Sequence, residues 1–441
     1  MKIVVLSASR HKNCTLKDVA GGYGTVFTIG NSWFARLLEV AKRRIASIPS
    51  VTAAYLDSIL SAHGAEVVIK HNALEPADLV LIASSITDCN YEKELGQRAR
   101  REFGAKVGYF GTFAATVPEF YEDAADFVVQ SEVENLAPQL AQGQIPAGVV
   151  DAGFVSDLNG LPFPTWDQFN IRKYKYSIIT ARGITLPMLS SRGCPYTCGY
   201  CPYLVNSRYR VRHAQNVVDE IEYLVRRFGI RGISFRDPMF TFHRNRTLDI
   251  AQRILSKGLN IRFGIETRTD KLDEEQLQLL HRAGLRSLEI GIESFDEGML
   301  LENLRKAPGK EQQERIIDLC HRLGIRVIAN YILGLSNDTV AGVQNTIGYA
   351  KKLNTFAIQF TVTTPYPGTL LYKSLQEHIF EEDWEKFNGW TNVYTHPTMT
   401  SAELHRLRED AYVSYHLRPR YVWRFLISTV LRGLPLPDFA R

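Results

Sequence analysis

The tightest constraint on this chain is the stretch Ser190-Ser191-Arg192-Gly193-Cys194-Pro195-Tyr196-Thr197-Cys198-Gly199-Tyr200-Cys201, where three of six cysteines fall as C-x₃-C-x₂-C. Six cysteines scattered at random over 441 positions would produce such a triplet in roughly one chain in a thousand. A structural zinc site takes four protein ligands, commonly from paired C-x₂-C knuckles, and no fourth Cys or close His completes a tetrahedron here. Iron–sulfur clusters are held by thiolates, and four of them saturate a cubane of four irons. Three leave one iron open, which is what a metal centre needs to bind and activate a substrate. A pure electron carrier closes that position instead. The spacing therefore reads as a reactive cluster, against the plainer alternative of three unrelated core cysteines.

With the leading Arg192-Gly193-Cys194-Pro195 and the aromatic Tyr200, the stretch resembles the signature of the radical S-adenosylmethionine (radical SAM) enzymes. The resemblance implies a [4Fe-4S] cluster on Cys194, Cys198 and Cys201, with SAM chelated to the open iron and Tyr200 near the adenine. It also implies cleavage of SAM to methionine and a 5′-deoxyadenosyl radical that takes hydrogen from a substrate. An electron donor such as flavodoxin or ferredoxin belongs to that chemistry.

At 441 residues the chain is long enough for two or three domains with ample cores. Its 45% hydrophobic and 22% charged residues are those of a soluble globular protein. A net charge of +5 is small for this length and does not demand nucleic acid, and no RNA-binding module is recognisable. The apolar run at Met1–Leu6 is too short for a signal peptide and reads as a first strand. A cytoplasmic chain is expected, with clustered thiols as metal ligands rather than disulfides. The isolated Cys14, Cys89 and Cys320 read as structural. No apolar segment reaches the ~20 residues of a membrane span.

Up to about residue 150, strand-type runs (Lys2–Leu6, Ala65–Ile69, Leu79–Ala83, Lys106–Tyr109, Phe127–Val129) alternate with helical ones such as Val51–Ala62 and Glu92–Phe103. That alternation predicts a doubly wound, Rossmann-like parallel sheet. Its ligands sit at the carboxyl ends of strands, which singles out Ser84, Ser85 and Thr87 in one loop and Gly111 and Thr112 in another. The phrases Pro49–Leu56, Ala77–Ala83 and Ala124–Val129 resemble the cobalamin-binding domain that precedes the barrel in a large class of radical SAM proteins. The D-x-H-x-x-G motif of other cobalamin folds is absent, and His63-Gly64 has the wrong spacing. The resemblance thus implies cobalamin held without a protein histidine. Gly21-Gly22-Tyr23-Gly24, near Lys12 and Lys17, reads as a flexible loop, with contact to the cofactor or to the cleft between domains as the alternative, and does not meet G-x-G-x-x-G.

Residues 151–185 mix Gly, Pro and aromatics with little periodicity and read as a linker. Strands at Leu186–Ser190, Gly232–Phe235, Ile261–Glu266, Ser287–Ile292, Arg326–Leu333 and Ala357–Val362 then alternate with helices, predicting a partial (β/α)₆ barrel over 186–370. The cysteine loop follows the first strand directly, at the end where barrels carry their chemistry. Residues at other strand ends take roles from the family resemblance: Asp237, Glu293 and Ser294 against SAM, and Gly334 along the adenine. Arg268 offers a fork for the SAM carboxylate. Tyr366 is a candidate catalytic acid or radical relay, and His243 a rim residue without a metal.

Residues 371–441 read as a helical region in which Trp384, Phe387 and Trp390 either line the substrate mouth or, the favoured reading, seal the barrel bottom. The basic, apolar segment 418–432 suits either packing on the body or peripheral contact with a membrane surface. The expected activity is that of a cobalamin-dependent radical SAM C-methyltransferase acting on an unactivated carbon of a small-molecule or lipid-like substrate. The alternatives are a cyclase or a lipid- or tetrapyrrole-tailoring enzyme without methyl transfer, and an iron–sulfur electron carrier.

Overall fold

The computed structural model describes residues 1–426 apart from 12–14, 17–19, 44, 181–182 and 336. Cys14, Lys12, Lys17 and segment 427–432 lie outside the described residues, whereas Cys89 and Cys320 are buried as free thiols.

The first strand, β1 (Lys2–Ser7), buries Ile3, Val4, Val5 and Leu6 together. A continuous apolar run of this kind fits a strand covered on both faces. It joins β2 (Glu66–His71), β3 (Leu79–Ala83), β4 (Lys106–Phe110), β5 (Phe127–Gln130) and β6 (Gly148–Asp151). All pairings are parallel, in the order β2-β1-β3-β4-β5-β6. The order reverses between β1 and β3, which places a crevice at their carboxyl ends. Strand β6 was not expected: it lies just before the linker, and its four residues are mostly exposed, leaving no apolar alternation to read.

Helix α1 (Trp33–Arg43) was also not anticipated. Helix α2 (Val51–Ala62) matches its expected span, beginning where the Ser50 hydroxyl accepts the Ala53 N–H. Helix α3 (Cys89–Phe103) stops at the left-handed Gly104.

The second sheet comprises β7 (Thr185–Met188), β8 (Gly232–Phe235), β9 (Arg262–Thr267), β10 (Leu285–Glu293), β11 (Arg326–Leu333) and β12 (Ala357–Val362), parallel and in chain order. Between them run α4 (Ala214–Phe228), α5 (Arg244–Ser256), α6 (Glu274–Ala283), α7 (Lys310–Leu323) and α8 (Val340–Leu353). The strand order does not close on itself, so this is the incomplete α/β barrel expected from the sequence. A short antiparallel ribbon of Ala46–Ser47 and Lys175–Tyr176 lies beside its opening.

The tail is helical, with α9 (Ser401–His416) started by a capping box of Thr400 and Glu403. Its Tyr412 hydroxyl accepts the Phe360 N–H of β12 at 3.0 Å. Helix α10 (Pro419–Leu426) follows. Trp384 and Phe387 correct the expectation of a barrel-bottom seal. They pack over the first sheet's edge, where Trp384 lies 5.8 Å from Phe113. No described helix is long and apolar enough to cross a membrane.

Candidate active site

Strand β7 delivers the chain directly into the cysteine loop, and β8 grips the start of that loop. The buried Asp237 carboxylate accepts the N–H and the hydroxyl of Ser190, both at 2.7 Å, and also the N–H of Ser191. Asp237 is therefore a positioning residue below the loop and does not reach the cavity as expected; its neighbour Arg236 does, held to Glu266 at 2.6 Å. At Gly193 the backbone is left-handed, and a Cβ would stand 2.5 Å from the Arg208 carbonyl, so only glycine makes this turn.

Cys194, Cys198 and Cys201 open together on one cavity of about 1130 Å³. Burial raises the Cys194 thiol and pushes Cys201 up to about 12. Protons so held are displaced only by a strong Lewis acid, as in metal sites. Among the described residues no three His, Cys, Asp or Glu side chains converge tightly enough for one metal ion.

The cavity also receives Tyr200, Glu293 and Arg305. Glu293 sits at φ 70° beside a register shift between β10 and β11. A bulge of this kind re-aims a side chain next to a site. Its carboxylate lies 3.4 Å from Arg305, whose Nη2 donates to the Gly291 carbonyl at 2.5 Å. Burial lifts the Glu293 carboxyl above its ordinary range. Burial opposes the Arg305 charge too, but Tyr200, Glu293 and Cys198 around it more than offset this, so the guanidinium keeps its proton. The Tyr200 hydroxyl and Arg305 Nε are buried without a hydrogen-bond partner. Orphaned polar atoms beside three thiols are the signature of a site shaped for a polar ligand. The residues present fit a cluster and SAM. Arg305 escaped the sequence analysis because one arginine in Leu304-Arg305-Lys306 carries no motif.

Three other expected residues stand differently. Arg268 lines the cavity, but both arms of its fork lie on Asp270 at 2.9 Å, a third contact reaches the Lys306 carbonyl, and Tyr196 packs 4.4 Å away. It is already paired as a carboxylate clamp, with its own aspartate. Ser294 is turned away to Thr346 and the Asp296 N–H. Gly334 lies behind the wall, its carbonyl taken by the Tyr394 hydroxyl, while Ile332 and Leu335 face the cavity. Tyr366 does line the cavity, and burial raises its phenol well above the ordinary range.

The expected corrin-binding loops are closed off. Ser84 bonds to the Tyr121 hydroxyl at 2.9 Å, Ser85 donates to Glu92, and Thr87 is buried. Thr112 donates to the Gly21 carbonyl, and Gly111 packs against the Ser84 backbone. The Gly21–Tyr23 turn fills the space above them. A Cβ on Gly21 would meet the Pro202 carbonyl at 2.4 Å, and the Tyr23 carbonyl accepts the Ile86 N–H at 2.9 Å. This is not the flexible loop expected: its buried Tyr23 packs between the two sheets, and a corrin at this edge requires the turn to move.

Residues 188–350 match the family model of the Radical SAM superfamily. An uncharacterized methyltransferase of Pyrococcus horikoshii is 29% identical over 292 residues, 64% of this chain and 62% of the relative. The anaerobic magnesium-protoporphyrin IX monomethyl ester cyclase of Rubrivivax gelatinosus is 29% identical over 353 residues, 73% of this chain and 62% of the relative. The chain thus spans less than two thirds of the length of either. The fold is similar to that of the radical SAM methyltransferase TsrM of Kitasatospora setae, solved with cobalamin and a [4Fe-4S] cluster. The TM-score is 0.62 at 18% identity, covering 85% of this chain and 78% of that one.

Proposed function

Through residues 188–350 this chain belongs to the radical SAM superfamily, and on that footing we propose that it is a cobalamin-dependent C-methyltransferase acting on an unactivated carbon of a small molecule. The observation that carries the reading is the meeting of Cys194, Cys198 and Cys201 with Glu293, Arg305 and the unpartnered Tyr200 hydroxyl at one cavity. When bound, a [4Fe-4S] cluster with SAM supplies the means to break an unactivated C–H bond, and a methylated corrin supplies the carbon.

The protein's own part is placement and exclusion of water. The three thiols hold the cluster on a loop that Asp237 anchors from beneath. Arg305 balances thiolate charge beside Cys198 and orients Glu293, leaving Nε and the Tyr200 hydroxyl for polar groups of SAM. Tyr366 lines the same cavity and burial holds its phenolic proton in place, as either a proton donor or a hydrogen-atom relay requires. Loading a corrin calls for the Gly21–Tyr23 turn to withdraw from the sheet edge. An electron donor of the flavodoxin or ferredoxin kind reduces the cluster. The exposed Val422 and Trp423 of α10 support peripheral membrane contact.

Reconstituted anaerobically with iron, sulfide and hydroxocobalamin and then reduced, the protein is expected to convert SAM into both 5′-deoxyadenosine and S-adenosylhomocysteine. Deoxyadenosine without homocysteine overturns methyl transfer and favours a cyclase, the second reading, which the Rubrivivax gelatinosus relative supports.

A further inference from the structure

The cavity does not end at the cysteines. It follows the inward residues of three strands, taken two apart: Glu289, Gly291 and Glu293 on β10, Ile328 and Asn330 on β11, Ala357 and Gln359 on β12. Along β12 it continues to Thr361 and Thr363, six residue steps or about 20 Å at the strand rise. In most barrels these positions are layers of interlocked side chains. Protein interiors rarely keep voids larger than a water molecule, so an apolar channel of this size is built to be filled.

Its wall changes character with depth. Midway lies a polar belt: Asn330 Nδ2 donates to Glu289 at 2.9 Å, and Lys42 donates to Gln359 at 3.4 Å across the strand from Asn330. Lys42 is held over the Phe27 ring at 4.1 Å, and Asn330 Oδ1 is buried without a partner. Below the belt the lining is mostly apolar, with Leu38, Ile45, Ile178, Phe356 and Tyr421, while Arg172, Lys175 and His416 also line the cavity. The channel opens beside α1 and α10, where Leu37 and Val422 line it and Trp33 and Trp423 stand 77% and 68% exposed.

We propose that this lower channel is the substrate's seat and that the substrate is an amphiphile. One hydrogen-bonding group is read by Glu289, Asn330, Gln359 and Lys42. An extended apolar skeleton fills the channel toward α1 and α10, and the reacting carbon lies above the belt toward the cysteines. This rests on the radical SAM reading for which end reacts, but the binding itself is independent of it.

The test uses the full-length, cluster-loaded protein and straight-chain primary alcohols from hexanol to tetradecanol, with binding read by tryptophan fluorescence and equilibrium dialysis. Affinity is expected to rise about fourfold per added methylene until the channel is full. Ala41→Trp, on the α1 wall, should lower the chain length at which the rise stops. Ala357→Trp, at the channel floor, should do the same if either variant alone is compromised in folding. Asn330→Leu should weaken every alcohol by a similar factor while keeping the dependence on length. Absence of length dependence, or an unchanged cut-off in both tryptophan variants, overturns the proposal. The cluster's electron paramagnetic resonance spectrum, recorded with and without SAM on the same samples, separates the two ideas. A SAM response without alcohol binding sinks the amphiphile alone, and alcohol binding without a SAM response sinks the radical SAM reading alone.

Discussion

The ring of Tyr23 stacks on that of Tyr366 with centroids 5.1 Å apart and planes 23° from parallel, joining the loop after β1 to the loop after β12. The Tyr23 hydroxyl donates to the Pro367 carbonyl at 2.5 Å and contacts Thr116 of the first sheet's edge. One buried side chain thus ties both sheets to the wall of the cavity. Replacing it should open the edge at which we propose a corrin binds. Tyr23→Ala should cost about 3 kcal/mol, as aromatic truncation in a core does, and should raise corrin uptake severalfold. Absorbance of the desalted protein after incubation with hydroxocobalamin measures the uptake, and a thermal melt the cost. Uptake equal to that of the parent would mean that the turn does not govern corrin access.

In the proposed function the cysteine loop is the seat of the cluster. Single substitutions Cys194→Ser, Cys198→Ser and Cys201→Ser should each reduce bound iron to near background and abolish reductive SAM cleavage, measured as deoxyadenosine. Cys89→Ser and Cys320→Ser, on buried thiols away from the cavity, should leave both unchanged.

Arg305 is the buried cation that serves thiolate and carboxylate together. Removing one member of a buried ion pair typically costs 3–5 kcal/mol because the other charge is left uncompensated. Arg305→Met should therefore raise the KM for SAM at least tenfold, and Arg305→Lys, which keeps charge but loses the fork, should fall between. Initial rates of deoxyadenosine formation against SAM concentration decide this; equal KM values in all three proteins would remove Arg305 from the site.

Asp237 acts through the loop and does not touch the cavity. Asp237→Asn weakens acceptors for two backbone N–H groups and one hydroxyl, each charge-assisted bond being worth about 2 kcal/mol. Lower melting temperature and poorer cluster retention are expected, with the KM for SAM preserved in the protein that still holds iron. A large rise in KM would instead restore Asp237 to direct contact with SAM.

His416 makes stability depend on pH. Its Nδ1–H donates to the Tyr412 carbonyl at 2.8 Å, and burial, with Lys42 and Arg418 nearby, lowers it to about 4. Between about pH 6.5 and 4 the unfolded chain binds a proton that the folded chain refuses, so stability falls as pH falls through that window. The full shift corresponds to about 3 kcal/mol; the ring is partly open to solvent, which reduces this to about 2 kcal/mol. Urea melts at pH 7 and pH 4.5 should show the parent losing more than His416→Gln by that amount. Equal losses would mean that the ring titrates normally.

Strand and helix spans were legible wherever burial imposes a strict period. Helix Val51–Ala62 falls on its expected residues, and so do the strands Leu79–Ala83, Gly232–Phe235, Arg326–Leu333 and Ala357–Val362. Elements at the periphery escaped. Exposed β6 carries no alternation, and α1 starts behind Gly30-Asn31-Ser32, where the Ser32 hydroxyl accepts the Ala35 N–H at 3.3 Å, a start signal the sequence analysis passed over.

The primary sequence alone determined the order of the two sheets and the three thiols that share one loop, because backbone periodicity and ligand spacing are local properties along a chain. It could not say that Asp237 faces the loop's underside, that Arg268 is already engaged by Asp270, or that Arg305 stands beside Cys198. Nor could it say that Gly21–Tyr23 fills the crevice between the sheets. Those outcomes depend on which of several nearby partners a charged or aromatic side chain meets once distant segments pack, and that choice is made by three-dimensional proximity and desolvation, neither of which is written in the spacing of residues.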